Sequence, residues 1–210
     1  MDDETIIRKV SRFTLTGRER ILNVLQLVEK VVLNEVPGDF VEIGVFRGGL
    51  IMAMALKCQQ LGVNRTIHAY DTFEGMTAPS DYDVDCNGYK ASDTVHYEAI
   101  KCESTFDETK AIIDLCKYPN IVYHVGDIRE TDISAIPSIA LLRLDTDWYD
   151  LTKFELEHFE KRVEPKGYVI IDDYGHWDGC RKAVDEFLVG KDIKPDQIDY
   201  TGIYWEKTLF

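Results

Sequence analysis

Two short apolar runs, Ile139-Ala140-Leu141-Leu142 and Tyr168-Val169-Ile170-Ile171, end in carboxylates and lie about one helix apart in the chain. The first leads through Leu144 into Asp145-Thr146-Asp147-Trp148-Tyr149-Asp150, and the second leads directly into Asp172-Asp173-Tyr174-Gly175. Runs this apolar read as strands buried on both faces, the kind found in parallel sheets with helices on either side. Ligands of such open sheets bind outside the carboxyl ends of the strands, so the two tips are expected to bring their acids to one spot. Asp145, Asp172 and Asp173 are hard oxygen donors with no His or Cys companion, a set that suits Mg²⁺, Mn²⁺ or Ca²⁺ rather than Zn²⁺. Acids at strand ends also stand in solvent or cap the next helix; two paired sets favour a metal.

The rest of the 210-residue chain fits the same plan. Thr16-Gly17-Arg18-Glu19 has capping-box spacing, and Ile21, Leu25, Val28 and Val32 follow at helical intervals, predicting a helix over about residues 17–34. The segment before it, with Phe13, Thr14 and Leu15, reads as an arm, a lid or a frayed terminus. Pro37-Gly38 breaks the helix; a strand from Phe40 to Gly44, a turn Val45-Phe46-Arg47-Gly48-Gly49 and a helix over about 49–61 follow. Further strands are expected at Thr66–Tyr70, Ile121–Val125, Ile139–Leu144 and Tyr168–Ile171. Between them come helices opening at Ser104-x-x-Asp107, spanning Phe154 to Phe159 with an end near Pro165-Lys166-Gly167, and running from about Cys180 to Val189. The tail, Ile198-Asp199-Tyr200 and Ile203-Tyr204-Trp205 around Thr201-Gly202, suggests one or two terminal strands, at least one antiparallel. The expected fold is therefore α/β, a doubly wound, mostly parallel sheet over residues 37–210, with residues 1–36 a helical N-terminal extension or lid to a single domain.

Composition narrows the function. A net charge of −14 without a Lys/Arg cluster disfavours nucleic acid and anionic membranes as partners, and a small-molecule or glycan substrate fits better. The 5 cysteines, Cys58, Cys86, Cys102, Cys116 and Cys180, form no C-x-x-C pair and read as reduced packing residues in a cytoplasmic protein. The charged N-terminus carries no apolar segment of signal-peptide or membrane length.

The strand, glycine turn and helix over Phe40–Gly49 make a cradle in which backbone can approach a cofactor closely. A dinucleotide fingerprint would need glycine where Phe46 stands, and no G-x-x-x-x-G-K-[ST] motif is present. Asp71, at the tip of the second strand, occupies the place from which a ribose diol is held in nucleoside-binding folds, with a turn or helix cap as the alternative role. Phe73 could then face an adenine. No periodicity survives from Met76 to Lys101, which reads as a substrate-covering loop. Within it Asp83-Val84-Asp85-Cys86-Asn87-Gly88 copies half of a calcium loop, but Thr94 stands where the bidentate Glu belongs; this is a chance match in an exposed acidic loop.

An apolar run ending in D-x-D, followed by one ending in D-D, also marks haloacid-dehalogenase-type phosphatases, although one helical connection leaves no room for the hydroxyl and lysine that chemistry needs. A glycosyltransferase D-x-D explains Asp145 and Asp147 but not the stretch from Glu42 to Gly49. Taken in order, Phe40–Gly49, Asp71-Thr72-Phe73-Glu74-Gly75, Leu144–Tyr149 and Val169–Tyr174 resemble the macrocin O-methyltransferase family, metal-assisted enzymes that methylate sugar hydroxyls from S-adenosylmethionine. The likeness runs from about Thr16 to the end; the chain is shorter than is usual there, mostly at the N-terminus and in the mid-chain loops that shape the acceptor pocket. The resemblance implies a Rossmann-like class I methyltransferase fold and an acceptor such as a deoxyhexose. It implies that Glu42, Gly44 and Gly49 line the methionine end of the cofactor, that Asp71 holds the ribose and that Asp127 lies by the adenine. Asp145, Asp172 and Asp173 would hold Mg²⁺ or Mn²⁺, and Asp147 would be the general base, with His176 the reserve. A catalytically silent nucleoside-binding module on the same fold would be expected to have lost these acids. Acceptor identity and oligomeric state, a homo-oligomer included, are left open.

Overall fold

The structure, a computed structural model, describes residues 1–93, 102–134 and 136–208; the later part of the expected substrate-covering loop, including Thr94, lies outside the described residues. Helices α1 (Asp3–Val10) and α2 (Arg18–Leu33) precede strand β1 (Asp39–Ile43), helix α3 (Gly49–Leu61) and strand β2 (Ile67–Asp71). Helix α4 (Phe106–Ile113), strands β3 (Ile121–Val125) and β4 (Ile139–Leu144), helix α5 (Tyr149–Phe159) and strand β5 (Val163–Ile171) follow. Helix α6 (Asp178–Leu188) and strands β6 (Asp196–Gln197) and β7 (Ile203–Glu206) end the chain. The strands form one sheet in the order β3-β2-β1-β4-β5-β7-β6, parallel from β3 through β5, with β7 antiparallel to both β5 and β6.

Successive side chains along a strand point to opposite faces, and the core divides accordingly. Phe40, Ile67, Ala69, Leu141 and Ile170 pack under α1, α2 and α3, whereas Val41, Ile43, Leu142, Val169 and Ile171 pack with Trp148, Leu156, Phe159 and Val184. Helix α3 is buried from Gly49 to Cys58, as an apolar helix between sheet and neighbouring helices must be. The terminus is not frayed: Ile6, Ile7 and Val10 are buried, and the buried Lys57 ammonium donates to Asp3 (2.9 Å) and Glu29 (2.7 Å). Among the described residues no helix is long and apolar enough to cross a membrane.

Three local readings need correction. Gly17, not Thr16, is the N-cap of α2, and no side chain caps it; the Thr16 hydroxyl instead accepts from Arg143 Nη2 at 3.0 Å. The capping box of α4 is one residue later than Ser104-x-x-Asp107, formed by Thr105 and Glu108. Pro165-Lys166-Gly167 does not follow a helix but lies inside β5, where the register to β4 shifts and Lys166 takes φ +68°. A Cβ on Gly167 would come 2.8 Å from the Ala140 carbonyl oxygen, so only glycine lets the strands close again. The Thr105 box is a small stability term: Thr105→Ala should cost about 1 kcal/mol, read as a melting temperature lower by about 2–4 °C. An unchanged melting temperature would mean that the cap contributes nothing.

Of the five cysteines, all free, Cys58, Cys116 and Cys180 are buried as packing residues, but Cys86 is exposed and does not fit that role.

Candidate active site

The carboxyl ends of the parallel strands open into a cleft of about 250 Å³. Glu42, Asp71, Asp127, Asp145, Asp147, Asp172 and Asp173 line it, opposed among the described cleft residues by the guanidiniums of Arg20 and Arg143. The excess of negative charge follows from topology, since each acid sits at or beside the end of a strand that points its terminus at the same place.

Gly44, immediately after β1, has φ +86°, and a Cβ there would overlap the Asp145 carbonyl oxygen; left-handed backbone and close strand contact both require glycine. Asp71 fastens the turn that follows, because its Oδ2 accepts from the backbone N–H groups of Val45 (2.7 Å) and Phe46 (2.9 Å). Its Oδ1 accepts from Phe73 N at 2.8 Å. The turn-cap role of Asp71 is therefore realised. Gly49 and Phe73 are not on the cleft wall. A Cβ on Gly49 would meet Thr14 Cβ at 2.7 Å, so that glycine admits the N-terminal arm, and the Phe73 ring packs edge-on against Phe106. The wall there is formed by Leu50, Thr72 and Met76, and by Thr14, Leu15 and Thr16 of the arm. Asp127 does line the cleft, with its carboxylate accepting from Arg129 Nε at 2.9 Å, which lowers its pKa.

Asp145, Asp172 and Asp173 converge: each offers an oxygen, and these oxygens lie within 4.8 Å of one another. Asp172 and Asp173 are buried and Asp145 is partly open to the cleft. Arg143, the penultimate residue of the buried strand β4, reaches out among them. It stands beside Glu42 in the β1–β4 register and donates to Glu42 (2.6 Å), to Asp145 (2.8 Å) and to Asp172. Arg20 of α2 also binds Asp172 and, through Nε, Asp199 at 3.0 Å. Among the described residues no side chain donates to the Asp173 carboxylate. Burial first, then the neighbouring charges of Asp147 and Asp145, push the pKa of Asp173 well up, and burial likewise pushes Glu42 to about 8 against the pull of Arg143. Buried carboxylates this crowded are short of positive charge.

Asp147 has φ +65°, and its Oδ1 accepts from the indole N–H of Trp177 at 2.7 Å. Behind it, the Thr146 hydroxyl donates to the fully buried Glu155 at 3.0 Å. His176, half-buried on the rim, has Nδ1 3.4 Å from the Tyr200 hydroxyl and 3.7 Å from Cys86 Sγ. Asp83 overturns the exposed acidic loop. It is 1% exposed, accepting from Ser80 N (2.6 Å) and Ser80 Oγ (2.8 Å) and from Tyr149 N (2.8 Å) at the start of α5. Asp85 accepts within its own turn, from Asn87 N and Tyr89 N, so the calcium-loop pattern here is turn chemistry.

Arg20, Arg143, Asp83, Glu155 and Trp177 carry contacts that the sequence reading did not assign. Arg143 had a signal: a lone cation in a buried run, Leu142-Arg143-Leu144, demands carboxylate partners.

A sequence model of the macrocin O-methyltransferase family matches residues 8–207. The demethyldecarbamoylnovobiocin O-methyltransferase of Streptomyces niveus is 33% identical over 204 residues, 93% of this chain and 76% of that protein. The 8-demethyl-8-(2,3-dimethoxy-alpha-L-rhamnosyl)-tetracenomycin-C 4'-O-methyltransferase of Streptomyces olivaceus is 31% identical over 206 residues, 93% of this chain and 76% of that one. Among solved structures, the O-methyltransferase NovP superposes with a TM-score of 0.83 at 29% identity, covering 99% of this chain and 88% of its own.

Proposed function

The chain belongs to the macrocin O-methyltransferase family, and on that premise we propose that it transfers the methyl group of S-adenosylmethionine to a sugar hydroxyl with the help of a divalent cation. The observation that carries this reading is the convergence of Asp145, Asp172 and Asp173 beside the glycine turn of β1. One relative's name puts its acceptor on a rhamnosyl group, and by that likeness the acceptor here is a deoxyhexose such as rhamnose in a glycan or glycosylated metabolite.

The donor set fits both groups. Three carboxylates without nitrogen or sulfur companions suit Mg²⁺ or Mn²⁺, and their unbalanced charge favours a cation. Glu42 Oε2 is buried without a hydrogen-bond partner and lines the cleft, which suits an ammonium group such as the one S-adenosylmethionine carries. When bound, S-adenosylmethionine supplies an electrophilic methyl group and leaves as the thioether, while a divalent cation lowers the pKa of the acceptor hydroxyl. Asp145, Asp172 and Asp173 would hold the metal, Glu42 and the backbone at Gly44 the methionine end, and Asp127 the adenine side. Asp71 would keep the turn in place and lend its remaining lone pairs to the ribose. Asp147 takes the proton of the acceptor hydroxyl as the carbon–oxygen bond forms. The phosphatase alternative gains no support from this arrangement, in which the glycine turn abuts Asp145.

Calorimetry should detect S-adenosylhomocysteine and no NAD; the reverse result would end the cofactor assignment. Methyl-labelled S-adenosylmethionine with Mg²⁺ and a panel of methyl rhamnosides and demethyldecarbamoylnovobiocin should then label a sugar hydroxyl. Label recovered only on a non-sugar hydroxyl of the panel would overturn the acceptor class.

A further inference from the structure

Asp147 is held in a way that simple display of a carboxylate would not need. Its left-handed φ of +65° is uncommon outside glycine, so its orientation depends on what surrounds it. Trp177, 5% exposed, donates its indole N–H to Oδ1 at 2.7 Å, and among the described residues no donor reaches Oδ2. The Trp177 ring meets Trp148 edge-to-face, with centroids 5.0 Å apart, and the Trp148 indole N–H is tied to the Thr77 carbonyl oxygen at 2.8 Å. The other side is fastened as well: Tyr149 N donates to Asp83, and Asp178 N donates to the Val84 carbonyl oxygen at 2.9 Å. Trp148, Tyr149 and Asp178 are thus tied to the segment 77–84.

An indole N–H donates and has no lone pair to accept with. A hydroxyl or an imidazole in its place could relay a proton, whereas Trp177 can only donate to Oδ1 and so holds that oxygen without offering the proton a path through itself. A buried tryptophan with a hydrogen-bond partner is common in any core. Here the partner is the strained acid of the cleft, and the second tryptophan and the 77–84 segment lock the same point. We propose that Trp177 is a positioning residue for methyl transfer, fixing Asp147 Oδ1 so that Oδ2 faces the acceptor hydroxyl, with Trp148 and residues 77–84 completing the clamp. This rests on the reading of Asp147 as the base.

The test uses the full chain labelled with ¹⁵N-tryptophan, whose 3 indole resonances are assigned through Trp148→Phe and Trp205→Phe. Asp147→Asn should move the Trp177 indole resonance and leave that of Trp205 in place; an unmoved Trp177 resonance overturns the contact. In turnover of whichever panel acceptor is labelled, Trp177→Phe should lower kcat by about 10–100-fold with KM for S-adenosylmethionine within about twofold of wild type. In the Asp147→Asn background the same substitution should add no further loss. Losses that multiply, or a Trp177→Phe enzyme with full kcat, overturn the positioning role while Asp147 remains the base. Full activity of Asp147→Asn itself overturns the base assignment and the positioning role together. If Trp177→Phe does not fold, Trp148→Phe, which loosens the clamp behind the indole, is read in its place: a lowered kcat with KM for S-adenosylmethionine near wild type and no further loss in the Asp147→Asn background supports the positioning role, and full kcat overturns it.

Discussion

Asp147→Asn is expected to lower turnover by about 10²–10⁴-fold, the range for losing a general base, while S-adenosylhomocysteine and Mg²⁺ bind near wild-type strength. Asparagine keeps the shape and one acceptor oxygen for the Trp177 indole but cannot take a proton. The position suits the role: Asp147 lines the cleft beside the three converging acids, and burial first, then the charge of Asp145, raises the proton affinity of its carboxyl while no cation is held there. Asp145→Asn is the contrasting variant. It should weaken metal binding, with activity partly recovered at high Mg²⁺, because Asp145 is one of the three converging oxygens. Rescue of Asp147→Asn by excess metal would make Asp147 a ligand, and His176, on the cleft rim, would be the next base to test.

What could be read from the sequence was whatever depends on runs of residues. The apolar strands Ile121–Val125 and Ile139–Leu144 match β3 and β4 end for end, and their acidic tips named the three oxygens that converge. What could not be read was decided by partners distant in sequence. Thr16 looks like a helix cap because it is followed by Glu19, yet Arg143, far along the chain, claims its hydroxyl. Asp83 sits in a stretch with the polarity of an exposed loop, and what buries its carboxylate is the start of α5, 66 residues along the chain, whose Tyr149 N–H donates to it beside the local donor Ser80. Gly49 and Phe73 follow the pattern of cofactor contacts, but their surroundings, Thr14 and Phe106, come from segments whose packing no local pattern encodes. Pro165-Lys166-Gly167 reads as a helix end because a bulge and a helix stop use the same residues.

Mg²⁺ should raise the melting temperature of the protein, and Asp173→Asn should remove that response. Binding at 100 times Kd stabilises by about 2.7 kcal/mol, which for a chain of this size corresponds to roughly 5–10 °C. Asp173 is the informative position because no described side chain donates to its carboxylate, whereas Asp172 is bound by both Arg20 and Arg143. Removing Asp172 would leave the buried guanidinium of Arg143 and the partly buried one of Arg20 each short of a partner, a loss of about 3–5 kcal/mol that would obscure any metal effect. Asp173→Asn instead takes away a charge that burial and three neighbouring carboxylates disfavour, so the metal-free protein should be as stable as wild type or more so. Turnover should vanish in chelator, return with Mg²⁺ or Mn²⁺, and fail to return in Asp173→Asn. If these acids served only the fold, the signs would invert: Asp173→Asn would destabilise the metal-free protein, and neither chelator nor Mg²⁺ would change melting or turnover.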